Sequence, residues 1–235
     1  MTTISARLQA VRARMEAAAR SCGRDPQTIA LVAVSKTWPA QRVREAAAAG
    51  QRAFGENYVQ EALAKMERLS DLDLEWHFVG RLQGNKAGAV AAHFDWVHSI
   101  DRLEIAQRLS RARPPERGPL EVCIEVNVSG EASKGGVAPE AAAGLARSLA
   151  ALPGLRLRGL MAIPEPAADA PRASASFRRL RELRDRIAHD GYRLDTLSRG
   201  MSDDFEAAIL EGATLVRVGS AIFGPRAAAA RVQEQ

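Results

Sequence analysis

Lys36 closes the clearest buried strand of the sequence, Ile29-Ala30-Leu31-Val32-Ala33-Val34-Ser35-Lys36, with Pro39 three residues further on. That places a lysine where an apolar strand gives way to a loop. Partial desolvation of an ammonium there favours the free amine, and a free amine is a nucleophile toward an aldehyde. The plain alternative is a strand-end lysine whose stem covers apolar surface while its ammonium stays in water. Far along the chain, Gly200-Met201-Ser202-Asp203-Asp204 and Gly219-Ser220-Ala221 each combine small residues with hydroxyls. Such turns can aim backbone N–H groups and hydroxyls at an anion, although serine and aspartate before a helix are also ordinary caps.

A lysine amine opposite two phosphate-type turns points to a phosphorylated aldehyde, and pyridoxal 5'-phosphate carries both groups on one molecule. Lys36 is then the expected attachment residue, with Ser198, Ser202, Gly219 and Ser220 around the phosphate. Arg217, between Val216 and Val218, must meet an acceptor inside the protein. That acceptor is either a ligand or a buried acid such as Glu125. His77, between Trp76 and Phe78, reads as a site residue or as a hydrogen-bonded core histidine, and Asn57 as a site residue or a helix cap. Met161 packs, in a manner compatible with a cofactor ring. Lys86 and Lys134, beside glycine-bearing loops, read as solvated or anion-steering, and Asp203-Asp204 as a helix cap. No His, Cys, Asp or Glu spacing suits a metal.

These residues need elements that bring them together. Helical spacing of Ile4, Leu8, Val11 and Met15 predicts a helix over Ile4–Ser21 ahead of the first strand. Strands are then expected at Arg52–Gly55, Glu75–Gly80, Trp96–Ser99, Leu120–Val128, Leu155–Ile163, Thr196–Ser198 and Thr214–Val218. Helices alternate with them at Arg42–Ala49, Val59–Leu69, Lys86–Ala92, Leu103–Arg111 capped by Asp101, Pro139–Leu152, Phe177–His189 and Asp204–Leu210. About eight strands, each followed by a helical segment, give a single (β/α)8 TIM barrel with an extra N-terminal helix, one domain over 1–235. An open doubly wound sheet is the competing fold, but no Gly-x-Gly-x-x-Gly turn follows the first strand. In a barrel, the chemical residues share the mouth at the carboxyl ends of the strands.

Composition narrows the class further. The 235 residues are 46% hydrophobic and 26% charged, which suits one large core. There is neither an apolar stretch of about 20 residues nor an apolar leader at Met1–Arg7, so a cytoplasmic protein without membrane contact is expected. The net charge of +5 is spread among acids, which argues against a nucleic-acid partner. Cys22 and Cys123 are expected to be reduced packing residues. Only 4 of the 33 basic residues are lysines, so Lys36 stands out from the arginine-rich background.

Several segments together resemble the pyridoxal phosphate homeostasis family. They are Leu31–Thr37, Phe54–Glu61, Trp76–Lys86, Leu160–Pro164, Thr196–Asp204 and Val216–Gly224, in that order. The resemblance implies a barrel related to the amino-terminal domain of alanine racemases, with the cofactor as an internal aldimine on Lys36 and its pyridine nitrogen at Arg217. It implies a role in binding and supplying the cofactor without an established turnover reaction; no catalytic residues, PLP-dependent apoenzymes as recipients and a monomer are expected. A guanidinium at the ring nitrogen keeps that nitrogen unprotonated and weakens the ring as an electron sink. An amino-acid racemase is the alternative. Racemases of the related fold use a tyrosine from a second, β-rich domain, whereas the tyrosines here, Tyr58 and Tyr192, lie within barrel segments. Ser220 stands where threonine is common, and Arg199 occupies a variable position of its motif.

Overall fold

The computed structural model describes residues 3–131, 135–163 and 170–225; Lys134, Pro164 and the first two residues of the chain lie outside them. Eight parallel strands close into a barrel in sequence order. They are β1 (Ala30–Val34), β2 (Ala53–Glu56), β3 (Glu75–Phe78), β4 (Trp96–Ile100), β5 (Leu120–Glu125), β6 (Leu155–Met161), β7 (Thr196–Ser198) and β8 (Leu215–Val218). Closure is made by β1 against β8, with Ala33 opposite Val218. The doubly wound alternative is thereby excluded.

The helices are α1 (Ile4–Ser21), α2 (Ala40–Ala48), α3 (Val59–Arg68), α4 (Ala87–His93), α5 (Leu103–Ala112), α6 (Pro139–Ala150), α7 (Ala170–His189), α8 (Phe205–Leu210) and α9 (Ser220–Phe223). The helix α1 precedes the barrel, as its heptad-like apolar positions predict; Ile4, Leu8, Val11 and Met15 are all buried. Boundaries moved by a few residues at β5 and β6, where the apolar run continues into the loop. One cap differs in kind. Arg102, not Asp101, precedes α5, with no side-chain cap, and Asp101 instead pairs with Arg102 at 2.6 Å.

Strand alternation sorts the side chains into two shells. Phe54, Trp76, Phe78, Val97, Val122, Ile124, Leu160, Leu197, Val216 and Val218 face the helices and form one continuous core with them. The opposite parity turns inward. There Trp96, Cys123 and Met161 form a small separate cluster, and His77, His98, Ser198 and Arg217 are buried polar residues of the same parity. The barrel interior is therefore part apolar plug and part polar network. Register shifts between Val97 and Ile100, which lets two successive polar residues, His98 and Ser99, both be buried.

Candidate functional site at the barrel mouth

Lys36 lies two residues beyond β1, in a turn at the carboxyl end of the barrel, half-buried. Its backbone neighbours are held tightly. The Trp38 N–H donates to Ser35 O at 3.0 Å, and Ser35 N–H donates to Gly55 O at 2.9 Å on β2. Thr37 adopts φ +67°, an unusual conformation for a β-branched residue, and its N–H donates to Glu61 Oε1 at 2.6 Å.

Beneath the turn sits a buried ion cluster that the sequence reading did not assign. Lys65 Nζ donates to Ser35 O at 2.7 Å, to Glu56 Oε1 at 2.6 Å and to Glu61 Oε1 at 2.7 Å. The Ser35 hydroxyl donates to Glu56 Oε1 at 2.6 Å, while Glu56 Oε2 is buried without a partner among the described residues. Burial raises the Glu56 pKa, and the Lys65 charge opposes that rise. A signal for Lys65 existed in the sequence: it continues the inward face of α3 set by Val59 and Ala62, at the next helical step. A lysine on that stripe must find internal partners.

The two phosphate-type turns meet. Ser202 Oγ accepts the Gly219 N–H at 3.3 Å and the Ala221 N–H at 3.2 Å, joining the loop after β7 to the turn after β8. Gly219 is packed against β1: a Cβ there would sit 3.2 Å from Val34 O, two residues before Lys36. Gly200 has φ +90°, and a Cβ on it would come within 2.7 Å of the Ala208 Cβ, so only glycine fits that loop. Ser220 is exposed at the start of α9, and a cavity of about 470 Å³ lined by Arg14, Ser202, Asp203, Ser220, Ala221 and Pro225 opens beside these turns. The acidic pair does not cap α8 as expected. Asp204 precedes the helix, but its Oδ1 accepts the Met201 N–H at 2.6 Å.

Arg217 points into the barrel. Its Nη1 donates to Ser198 Oγ at 2.6 Å and its Nη2 to Ala162 O at 3.1 Å. Burial draws its pKa down to about 10, with Glu125 the largest opposing influence. Among the described residues the alternative acceptor, Glu125, makes no salt bridge with Arg217, and burial raises the Glu125 pKa. Ser198 is thus placed under Arg217 rather than in either turn. Its Oγ also meets His98 Nδ1 at 2.7 Å. The sequence marks His98 only as part of a strand; its burial, and the charges of His77 and Arg217, hold its pKa well below the usual imidazole value.

His77 stacks on Trp96, and both its ring nitrogens are taken, Nδ1 by His98 Nε2 at 2.9 Å and Nε2 by Glu75 Oε1 at 2.5 Å. No ring nitrogen is left for a ligand. Met161 is fully buried at the end of β6. Asn57 follows β2 and does not cap α3, which starts after Tyr58 without a side-chain cap; its Oδ1 is buried and without a partner. Lys86 ends a short 3-10 turn after β3 and is half-buried. Arg199 is fully buried in the outer shell, bonded to the carbonyls of Phe177 and Glu211, and so belongs to packing. Cys123 is a buried thiol whose pKa burial pushes up to about 12. Among the described residues, no group of His, Cys, Asp and Glu is arranged to hold a metal ion, and no helix is long and apolar enough to cross a membrane.

The eight-stranded barrel with its lysine turn is of the type described as the alanine racemase N-terminal domain, whose family model matches residues 6–227. A pyridoxal phosphate homeostasis protein from Pseudomonas aeruginosa is 59% identical over 226 residues, covering 96% of this chain and 97% of the relative, and its Escherichia coli K12 counterpart is 51% identical over 233 residues, covering 96% and 98%. The chain belongs to the pyridoxal phosphate homeostasis protein family. Among solved structures, PipY of Synechococcus elongatus with PLP bound superposes with a TM-score of 0.83 at 38% identity, covering 94% of this chain and all of that one.

Proposed function

We propose that this protein binds pyridoxal 5'-phosphate at the barrel mouth through covalent attachment to Lys36, and that it serves to hold and supply the cofactor rather than to turn over a substrate. The observation that carries the reading is the convergence, on neighbouring strands, of the Lys36 turn after β1 with the Ser202–Gly219–Ala221 junction after β7 and β8. Relatives named for pyridoxal phosphate homeostasis, and PipY with PLP bound, support it.

The residues fit the group. Ser202, Ser220 and the N–H groups of Gly219 and Ala221 suit a phosphate, the orphaned Asn57 Oδ1 offers an acceptor, and Arg217 offers a donor to the ring nitrogen. Met161 supplies apolar wall. Ser198 and His77 contribute behind Arg217. When bound, the cofactor supplies an aldehyde for an amine and an electron-accepting ring. The role of Lys36 is to present its amine from a turn that Glu61 and Lys65 hold rigid, and that of Arg217 is to keep a cationic donor where a ring nitrogen would otherwise gain a proton.

The same layout favours a carrier over a racemase. Two-sided proton transfer at a substrate carbon needs a second base facing the lysine. Tyr58 is 58% exposed beside the mouth, while Tyr192 precedes β7 and lies at the opposite end of the barrel. Recipient apoenzymes would take the cofactor from the mouth, a face that a monomer would leave open. The test is spectroscopic: titration with PLP should give a visible band that borohydride abolishes, absent from Lys36→Ala. Incubation of the loaded protein with L- and D-alanine in deuterated water should give slow exchange at the α-carbon, and racemisation at enzyme-like rates would overturn the carrier reading.

A further inference from the structure

Four hydrogen bonds run end to end through the barrel interior, from Arg217 to Ser198 (2.6 Å), Ser198 to His98 (2.7 Å), His98 to His77 (2.9 Å) and His77 to Glu75 (2.5 Å). The three middle residues are almost completely buried, whereas the Glu75 side chain is 49% exposed. Glu75 begins β3, so it lies at the end of the barrel opposite the mouth, in a cavity of about 580 Å³ that Arg52, Asp95, Glu121 and Arg158 also line. The column therefore joins solvent at one face to the base of the ligand site at the other.

The chemistry of its ends fixes the direction of every bond. A guanidinium only donates and an ionised carboxylate only accepts. The hydrogen bond from His77 holds the Glu75 carboxyl below its usual pKa, so Glu75 is the accepting end. With both histidines neutral, Arg217 donates to Ser198 Oγ, the Ser198 hydroxyl to His98 Nδ1, the His98 Nε2–H to His77 Nδ1, and the His77 Nε2–H to Glu75. Each atom is satisfied and all four hydrogens point away from the mouth.

Two arrangements keep every bond when one proton is added: an imidazolium at His98, which burial and the charges of His77 and Arg217 disfavour, or one at His77. The incoming proton binds Ser198 Oγ as the serine's own hydrogen passes to His98 Nδ1, and the His98 Nε2 hydrogen passes to His77 Nδ1. His77 becomes an imidazolium against the Glu75 carboxylate, His98 stays neutral as the other tautomer, and Ser198 now accepts from both Arg217 and His98. Its hydroxyl hydrogen, the proton taken up, now points toward the mouth. No atom is lost; the net change is one proton gained, which the column holds as the His77 imidazolium against Glu75 and returns to the mouth by the reverse of the same shifts.

We propose that Ser198, His98, His77 and Glu75 form a proton path from the mouth to an imidazolium at His77 held by Glu75, in which His77 and His98 act as positioning residues that set the hydroxyl direction of Ser198 beneath Arg217. His77 is the charge-bearing site because it alone abuts a carboxylate. Facing it are Glu75 on its own strand and His98 and the stacked Trp96 on β4, with Arg158 of β6 lying over Trp96 at 5.0 Å. Burial, then the neighbouring charges of His77 and Arg217, disfavour charge on His98; Arg217 of β8 itself has Glu125, Cys123 and Asp204 as electrostatic neighbours. The path rests on the cofactor reading only for what lies at its mouth end; the tautomers belong to the protein alone.

The test is nitrogen-15 NMR of the imidazoles in the ligand-free protein as a function of pH, with His77→Gln and His98→Gln spectra used only for assignment. When His77 is neutral both rings should be Nε2–H tautomers, and as His77 takes its proton His98 should switch to the Nδ1–H tautomer with the same midpoint. A His98 ring that keeps its tautomer throughout, or that starts as Nδ1–H, overturns the path. In the PLP-loaded protein the visible band should shift at that same midpoint, and Ser198→Ala should remove the shift while the tautomer change of the ligand-free wild-type protein stands. Linked tautomers with a band insensitive to them would overturn the action on the mouth. Absence of any band would refute the cofactor reading and leave the path to the NMR result.

Discussion

Removing the Lys65 ammonium should reveal how firmly the lysine turn is held. In Lys65→Met the stem volume is kept but Glu56, fully buried, loses its cation, as do Glu61 and the Ser35 carbonyl. Breaking a buried pair from one side costs about 3–5 kcal/mol. The Lys65 side chain is only 5% exposed, so little of that is screened by solvent. For a chain of this size each kcal/mol moves Tm by about 2–4 °C, giving a drop of roughly 6–20 °C. The double variant Lys65→Met/Glu56→Gln, which removes the stranded charge, should recover about half of the loss or more. The pH dependence has a definite sign. Burial raises the folded pKa of Glu56 above its unfolded value, so the folded state binds more protons between the two. Its contribution is present below the unfolded pKa and is lost as pH rises through the folded one, and Lys65→Met should steepen that loss. Thermal melts of the ligand-free proteins across that range provide the assay. A Lys65→Met melt within a degree or two of the parent, or a double variant no better than the single, would refute the reasoning.

Other expectations follow from single contacts. Ser202→Ala removes the acceptor shared by the Gly219 and Ala221 N–H groups; affinity for PLP should fall about tenfold, read by fluorescence titration, while pyridoxal without its phosphate should bind weakly to parent and variant alike. Equal affinity of the parent for the two aldehydes would remove the phosphate assignment. Gly219→Ala places a methyl 3.2 Å from Val34 O, so the turn must shift, and PLP affinity should drop with a small change in Tm. A thiol reagent should label Cys22 in the native protein and reach Cys123 only on unfolding, because Cys123 is buried and its pKa is raised to about 12; rapid labelling of both would contradict the packing of the inner plug.

The barrel was legible because β/α alternation and the long motifs agree; closure, which alternation leaves open against a doubly wound sheet, rests on the pairing of β1 with β8. Lys36, Ser202, Gly219 and Arg217 stand out in the sequence for a local reason: each is a polar or small residue out of keeping with its apolar strand or placed just past its end. What the sequence hid is pairwise. His98 stands two residues after Trp96 on a strand whose bulge could not be anticipated, and its partners Ser198 and His77 lie 100 and 21 residues away. Ser198 looked like a phosphate ligand because it precedes Gly200 and Ser202, yet the parity of β7 turns it inward to Arg217. Asp101 and Asp204 looked like caps by type, but nearby alternative partners, Arg102 and the Met201 N–H, claim their carboxylates. Lys65 and Glu56 form their cluster only because α3 folds back over β1 and β2.

The central claim is that one lysine of four carries the cofactor. The direct measurement is borohydride reduction of the wild-type protein after incubation with PLP, followed by peptide mapping of the fixed pyridoxyl label. The account predicts stoichiometric label on the peptide bearing Lys36. Label on Lys65, Lys86 or Lys134 instead, or no label above a denatured control, would contradict it.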